Sequence, residues 1–406
     1  MYASQQEPPR TSPFALDPAR FTSLDAPCTG RRCLRLTAGD ADCYPLYYFI
    51  PSLCREGRRL VYHRAGDGRV ELRVLDLTSG ADRLLIQGDT PATGWPPWDV
   101  EAGRGVWDHG SVLDAARERV IVFNRDQVLA VGLADGARQL LFTLPEGRMP
   151  IGQNCITADG QWLVYIHADA VRHTALFDEA GGYGAYHSRR QTMHGTRLCA
   201  FNLLSGEQRV LVNINSPIHH VLPLPDGRVV FCHPTNENGM LLTDLRGGWY
   251  THLRTQDELG GCVCHYLATR RGLAYEILGR PARVFAGLYH PDHHTRYEWP
   301  LPTDFGYTHT GNDPEGRLWF WENASKQTHD LRLLVEHRGP DDDTWLRLCH
   351  DWPSFGAGQR SHMHPQITPD RRWLLFVAGE PTSRRNHIHL IDIADCGDTR
   401  GIPRLP

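Results

Sequence analysis

Residues 358–365, GQRSHMHP, hold two histidines and a glutamine at a spacing typical of a metal site. His362 and His364 are two residues apart, so in an extended strand both imidazoles would lie on one face and reach one ion. Gln359 precedes His362 by three positions and offers an amide oxygen. Histidine is the commonest metal ligand and also a general base that works near neutral pH. The segment predicts a divalent-metal site, although HxH pairs also occur in purely structural settings.

Further histidines stand at related places along the chain. His309 in GYTHTGND, His265 in CVCHYLAT, and His219 or His220 in SPIHHVLP each precede a turn rich in Asp and Gly. If the turns belong to repeats arranged around an axis, these histidines converge at one end of a central channel. Residues far apart in sequence would then form one cluster with the HxH pair.

The strands that must position these histidines form a repeat, in which two apolar strands flank a turn rich in Asp and Gly. The first copy spans residues 55–86, and six more begin near Ala115, Ala158, Pro225, Thr269, Pro314 and Pro369. The spacing favours four-stranded blades of roughly 40 to 50 residues. We predict an all-β fold, a seven-bladed β-propeller closed by an N-terminal strand at residues 32–38. Eight blades or a split sandwich are the alternatives.

The whole chain, residues 1–406, is predicted to be one propeller domain with an N-terminal extension at 1–29. A long insertion at 171–197 holds side chains suited to stacking on sugars and holding carboxylates: Tyr183, Tyr186, His187, Arg189, Arg190 and His194. We expect it to be a substrate-binding flap, with an ordinary surface loop as the alternative.

Composition narrows the class of protein. The 406 residues carry a formal net charge of −4, which argues against a dedicated nucleic-acid binder. No apolar run approaches the roughly 18 residues of a membrane span, and the N-terminus lacks the apolar core of a secretory signal. The 11 cysteines include no CxxC pair, which favours reduced thiols in a cytoplasmic protein. Nothing in the sequence indicates the oligomeric state.

Several motifs together resemble the oligogalacturonate lyases of polysaccharide lyase family 22, which are seven-bladed propellers. QRSHMHP at residues 359–365 matches that family's Q-x-x-H-x-H-P, and Thr308-His309 matches its Ser-His before the sixth blade. Cys264-His265-Tyr266 matches its Thr-His-Glu. The segments CYPLYYFIP, FCHPTNEN and YHSRR also have counterparts, so the resemblance covers nearly the whole chain.

The resemblance implies a divalent metal, typically manganese, and His265 as the general base. It implies that the metal is held by His309, Gln359, His362 and His364. It also leads us to expect substrate contacts from Arg189, Arg190, Arg360, His187, Tyr307 and His233. The implied activity is that of a carbon–oxygen lyase in pectin degradation, which cleaves uronate-containing oligosaccharides by β-elimination to 4,5-unsaturated products.

This chemistry agrees with the residue types. The C5 proton of a uronate lies alpha to a carboxylate, a cation there stabilises the charge that develops, and a histidine can remove the proton. Three imidazoles and an amide are neutral ligands, which would leave the charge of the ion intact for the substrate.

The sequence departs from the family at one position. The family's Ala-Arg-Met-Trp, whose arginine helps to hold a substrate carboxylate, reads Asn-Gly-Met-Leu at residues 238–241, so Gly239 replaces the arginine. Either another arginine substitutes, or the substrate contains another uronate linkage, such as rhamnose–glucuronate, cleaved by elimination or hydrolysis. A non-catalytic propeller that binds partners is a further alternative. The possible substitutes are Arg189, Arg190, Arg280 and Arg360.

Overall fold

The structure of the protein is a computed structural model. It describes residues 14–54, 56–67, 69–89, 110–172, 195–214, 218–232, 239–255, 262–278, 284–290, 292–324, 328–335, 337–339, 342–356 and 359–396. These residues form seven antiparallel sheets in chain order, which confirms the predicted all-β, seven-bladed propeller.

Strands β1 (Thr22–Asp25) and β2 (Arg32–Arg35) precede the first full blade. Blade one contains β3 (Asp42–Pro45), β4 (Arg59–Gly66), β5 (Arg69–Asp76) and β6 (Asp82–Asp89). Blade two contains β7 (Val112–Asp114), β8 (Arg119–Asn124), β9 (Gln127–Gly132) and β10 (Arg138–Thr143). Blade three contains β11 (Arg148–Pro150), β12 (Cys155–Ile156), β13 (Trp162–Asp169), β14 (Thr196–Asn202) and β15 (Gln208–Ile214).

Blade four contains β16 (His219–Pro223), β17 (Arg228–Cys232), β18 (Gly239–Asp244) and β19 (Thr251–Thr255). Blade five contains β20 (Cys262–Thr269), β21 (Gly272–Leu278), β22 (Val284–His290) and β23 (Thr295–Pro300). Blade six contains β24 (Thr310–Asn312), β25 (Leu318–Ala324), β26 (Thr328–Val335) and β27 (Thr344–Pro353). Blade seven contains β28 (Gln366–Ile367), β29 (Trp373–Glu380) and β30 (Arg385–Asp392). Short 3₁₀ turns lie at Pro18–Arg20, Ala115–Arg117 and Gln359–Ser361.

The N-terminal strands complete blade seven. Strand β2 pairs antiparallel with β30, with Cys33 opposite Ile391, and β1 adds outside β2. This confirms ring closure by an N-terminal strand, which removes a free sheet edge. Residues 1–13 and 173–194 lie outside the described residues. The single domain, the extension and the role of the insertion therefore stay predictions.

The second strand of a blade is buried on both faces, because a neighbouring blade covers each face. The first seven residues of β29, WLLFVAG, are all buried. Outer strands differ, as in β10, where four of six residues are exposed. The hydrophobic core therefore lies between the blades, and the innermost strands line the channel.

A repeated turn sets where each second strand begins. In blade three the Asp159 carboxylate lies 2.6 Å from the Thr157 hydroxyl, and Gly160 follows with φ +70°. In blade seven Asp370 makes the same contact with Thr368 at 2.6 Å, and Arg371 takes the glycine's place with φ +59°. Such Asx-type turns fix the register of both flanking strands. Equivalent residues thus arrive at the same level of the channel.

The chain between β3 and β4 passes through the channel. Leu46, Tyr47, Tyr48 and Ile50 are at most 4% exposed. The two N–H groups of the Gln366 amide are shared among the carbonyls of residues 46, 47 and 50 at 3.1 to 3.3 Å, and its oxygen accepts from the residue 52 amide at 3.1 Å. One side chain therefore anchors the whole segment to blade seven.

Gln366→Leu is expected to lower the free energy of unfolding by about 2 to 4 kcal/mol, because it leaves buried backbone groups without partners. Urea denaturation followed by tryptophan fluorescence measures this loss. Gln208→Leu on the exposed outer strand β15 is the matched control and should change stability by less than about 0.5 kcal/mol. Equal stabilities of the two variants would show that Gln366 does not anchor the segment.

Within the described residues no helix is long and apolar enough to cross a membrane. The nine cysteines whose side chains are described are all free thiols.

Candidate functional site

Four histidines from four successive blades meet at one end of the channel. The ring centroids of His220 and His265 are 5.7 Å apart, those of His265 and His309 are 4.6 Å apart, and those of His309 and His364 are 4.7 Å apart. The predicted convergence of blade-equivalent histidines is confirmed.

Local irregularities of the first strands aim these side chains. The register of β16 against β17 shifts between His219 and Leu222, and that of β20 against β21 shifts between Cys264 and Leu267. His220, His265 and His364 have φ of +45°, +50° and +45°. A left-handed residue other than glycine costs about 1 to 2 kcal/mol, and such strain clusters at functional sites. A β-bulge is also a known means of redirecting a side chain.

His309, His362 and His364 form the candidate metal centre. One nitrogen from each lies within 4.8 Å of the other two, and the Nδ1 atoms of His309 and His362 are 3.1 Å apart. The HxH segment is not the extended strand considered from the spacing, because Gln359–Ser361 forms a 3₁₀ turn and His364 is left-handed. Even so, the rings of both His362 and His364 approach His309, with centroids at 4.9 and 4.7 Å. The Gln359 side chain lies outside the described part, so its role stays a prediction.

These groups fit a divalent ion. Nitrogens that bind one ion at about 2.1 Å are roughly 3 to 3.5 Å apart, and one nitrogen from each of the three rings already lies within 4.8 Å of the other two. Burial lowers the pKa of His309 to about 3, so its imidazole is neutral at physiological pH. A neutral imidazole is the form that binds a metal.

A buried glutamate that the sequence reasoning missed contacts all three histidines. Glu322 Oε1 lies 2.6 Å from His309 Nδ1 and 3.2 Å from His362 Nδ1, and its Oε2 accepts the backbone N–H of His364 at 2.8 Å. Burial alone would raise the pKa of Glu322, but His309 and His362 hold it well below its usual value. The sequence signal was an acidic residue inside the apolar strand LWFWENA.

His265 has a glutamate of its own. Its Nδ1 lies 3.2 Å from Oε2 of Glu276, which is fully buried and which the sequence reasoning also missed. The His265 side chain is 12% exposed, whereas that of His309 is 1% exposed. The predicted base therefore sits beside the candidate metal centre but remains accessible.

Two tyrosines of the channel segment form the floor of the cluster. The Tyr47 hydroxyl is 3.2 Å from His220 Nε2 and 3.4 Å from His309 Nε2. The Tyr48 ring lies 5.1 Å from His309 and 5.4 Å from His265. Tyr48 also lines a cavity of about 380 Å³, together with residues from the turns of blades five, six and seven. The anchored segment therefore contacts both the histidines and that cavity.

Of the other predicted site residues, only Arg360 and Tyr307 have contacts that the structure describes. The Arg360 guanidinium lies 5.8 Å from the centre of the Tyr44 ring, which stacks on His63. The Tyr307 hydroxyl donates to the Pro302 carbonyl at 2.9 Å. His187, Arg189, Arg190, His233 and Arg280 lie outside the described residues. The substrate contacts therefore stay predictions.

One further group in the described residues has metal-ligand chemistry. Asp330, His350 and Asp351 lie on the outer strands β26 and β27, and Asp351 is exposed. The His350 Nδ1 is 2.7 Å from Asp330 Oδ1, so the cluster is explained as a surface ion pair.

No protein-family model matches the chain, and no curated protein does. Solved structures do match. An oligogalacturonate lyase in complex with manganese has a TM-score of 0.75 at 20% identity, over 92% of this chain and 96% of that one. An oligogalacturonate lyase from Vibrio parahaemolyticus has a TM-score of 0.73 at 18% identity, over 93% and 97% of the two chains. A prolyl endopeptidase reaches 0.54 at 9% identity, over 87% of this chain and 50% of that one.

The chain shares the fold of these lyases. The match covers nearly the full length of both, whereas the prolyl endopeptidase is matched over only half its length. At identities of 20% or less, the likeness establishes architecture, and activity has to be argued from the side chains.

Proposed function

We propose that this protein is a metal-dependent lyase that cleaves uronate-containing oligosaccharides by β-elimination, with oligogalacturonate as the leading substrate. The observation that carries the proposal is the group of three histidines beside the His265–Glu276 pair. The fold shared with an oligogalacturonate lyase in complex with manganese also supports a metal-dependent lyase.

His309, His362 and His364 would hold the ion, Mn²⁺, with Gln359 as a further ligand. When bound, the ion supplies positive charge that neutralises a substrate carboxylate and makes the proton alpha to it more acidic. Glu322 adds a negative charge next to these ligands, which the expectation of an all-neutral ligand set did not include.

His265 would act as the general base. With Nδ1 directed at Glu276, Nε2 is the nitrogen that can accept the C5 proton. As that proton leaves, a C4–C5 double bond forms, the C4–O bond breaks, and the departing oxygen takes up a proton. Water is not consumed, and no oxidant or reductant is required.

The substrate side of the proposal rests on the cationic side chains predicted from the sequence. Arg360 follows the predicted ligand Gln359 in the turn Gln359–Ser361 and would replace the positive charge that Gly239 lacks. Arg189, Arg190, His187, Tyr307 and His233 are proposed as further substrate contacts. Another uronate linkage, such as rhamnose–glucuronate, remains the second candidate because of Gly239.

We place the protein in the cytoplasm, acting late in pectin breakdown on imported oligosaccharides. The free thiols of the nine described cysteines support a reducing compartment. The proposed partner is the oligosaccharide, and neither nucleic acid nor a membrane is proposed.

The test is the ultraviolet absorbance of unsaturated uronate products. Purified protein, with added Mn²⁺ or with a chelator, is incubated with galacturonate oligosaccharides and rhamnose–glucuronate oligosaccharides. We expect absorbance to grow only with metal, and fastest with oligogalacturonate.

New reducing ends without absorbance would indicate hydrolysis and contradict elimination. Elimination from rhamnose–glucuronate alone would move the specificity to the second candidate. If Mn²⁺ is bound but no oligosaccharide gives new absorbance or new reducing ends, catalysis on these uronates is contradicted and a binding protein is favoured.

A further inference from the structure

Blades five and six carry a buried glutamate at the same position of their second strand. Glu276 is the fifth residue of β21 and Glu322 the fifth of β25, and both are fully buried. The equivalent residue is Cys232 in blade four and Val377 in blade seven, judged by their backbone pairing with the first strand. The two carboxylates therefore lie in the blades that carry the proposed base and the metal ligand His309, whereas blade seven, which carries His362 and His364, has none at this position.

Glu322 connects the candidate metal ligands to one another. Its Oε1 faces the Nδ1 atoms of His309 and His362, and its Oε2 accepts the His364 amide. Both oxygens therefore act as acceptors. A carboxylate that accepts a ring N–H fixes the tautomer and orientation of a ligand histidine and raises its affinity for the ion.

Glu276 has a simpler environment. Its Oε2 faces His265 Nδ1 at 3.2 Å, and its Oε1 has no hydrogen-bond partner among the described residues. Only one acceptor is therefore in use. That contact would hold the proton of His265 on Nδ1 and leave the lone pair on Nε2.

We propose that Glu322 is the positioning residue of the metal histidines and Glu276 the positioning residue of the catalytic base. This inference rests on the proposed function for the role of His265, whereas its metal half requires only Mn²⁺ binding. The two halves predict opposite defects from the same chemical change at equivalent positions.

Glu322→Gln replaces one of two required acceptors by a donor, so at least one of the three histidine contacts is lost. We expect Mn²⁺ affinity, measured from the electron paramagnetic resonance signal of free Mn²⁺, to fall about 10- to 100-fold. Glu276→Gln should bind Mn²⁺ within about 2-fold of the parent. Glu71→Gln, in ion pairs with Arg64 and Arg73 of blade one, controls for the loss of a carboxylate. Unchanged affinity in Glu322→Gln would overturn this half.

Glu276→Gln can keep its oxygen towards His265 and place its amide where Oε1 has no partner, so it should fold. We expect kcat to fall about 10- to 100-fold with KM unchanged, because only the charge behind the base is lost. Glu322→Gln should instead recover most of its kcat at saturating Mn²⁺. A loss in Glu276→Gln that appears only in KM would contradict a role behind the base.

A measurement without turnover separates this inference from the proposed function. In ¹⁵N-histidine-labelled, metal-free protein at alkaline pH, the shifts of His265 report which nitrogen is protonated, and the His265→Asn spectrum assigns its signal. We expect Nδ1–H in the parent and a shift towards Nε2–H in Glu276→Leu. If no uronate is cleaved, the proposed function fails, yet this spectrum and the Mn²⁺ affinities still decide the inference. An unchanged tautomer in Glu276→Leu would overturn the Glu276 half.

Discussion

His265→Asn is expected to lower kcat for oligogalacturonate elimination by about 10²- to 10⁴-fold, the usual contribution of a general base. Asparagine is the suitable replacement because His265 has φ +50°, a conformation that asparagine tolerates well among non-glycine residues. Its amide cannot accept a proton near neutral pH. KM and Mn²⁺ affinity should stay within about 3-fold of the parent, since the metal histidines remain in place. Initial rates of ultraviolet absorbance at several substrate concentrations give both constants.

His294→Asn is the matched control for this substitution. His294 also has φ +50°, but it lies exposed in the turn between β22 and β23, with its Nδ1 3.0 Å from the Tyr289 hydroxyl. Its kcat should equal that of the parent. If His265→Asn retained full turnover, the base would have to be another group, and His220, with its ring 5.7 Å away, would be the first to examine.

The blade repeat and the histidine cluster were predictable because both follow from local patterns. Asp and Gly turns recur before apolar strands, and their repetition predicts equivalent positions around a ring. His265, His309 and His364 therefore converge as expected, although 99 residues separate the first from the last. The metal motif needed only the spacing of residue types.

The conformation of the motif and its supporting glutamates were not predictable in the same way. An extended HxH segment would place both rings on one face, yet a 3₁₀ turn and a left-handed His364 bring the rings to His309. That backbone is set by packing around His309 and Glu322, which are distant in sequence. The buried glutamates, in turn, break the apolar pattern of their strands. An acid in such a strand signals a buried partner, but which partner it contacts depends on strand register.

Removal of the metal is expected to abolish elimination and to lower the thermal stability of the protein. Because Mn²⁺ would bind only when the three histidines are assembled, it stabilises the folded state by about 2.7 kcal/mol at 100 times its dissociation constant. For a chain of this length that corresponds to a rise in Tm of about 3 °C. Differential scanning fluorimetry of chelator-treated protein across a Mn²⁺ titration measures the rise, and the ultraviolet assay follows the return of activity.

His362→Ala tests whether this stabilisation comes from the candidate centre. Its side chain is 15% exposed, so the metal-free variant should melt somewhat below the parent, but Mn²⁺ should no longer raise its Tm or support turnover. His350→Ala removes the histidine of the surface group with Asp330 and Asp351 and should keep the full response. The reverse pattern, with the response lost only in His350→Ala, would place the ion on the outer strands of blade six. The histidines of the channel would then have to act without it, and the elimination chemistry proposed for them would lose its source of positive charge.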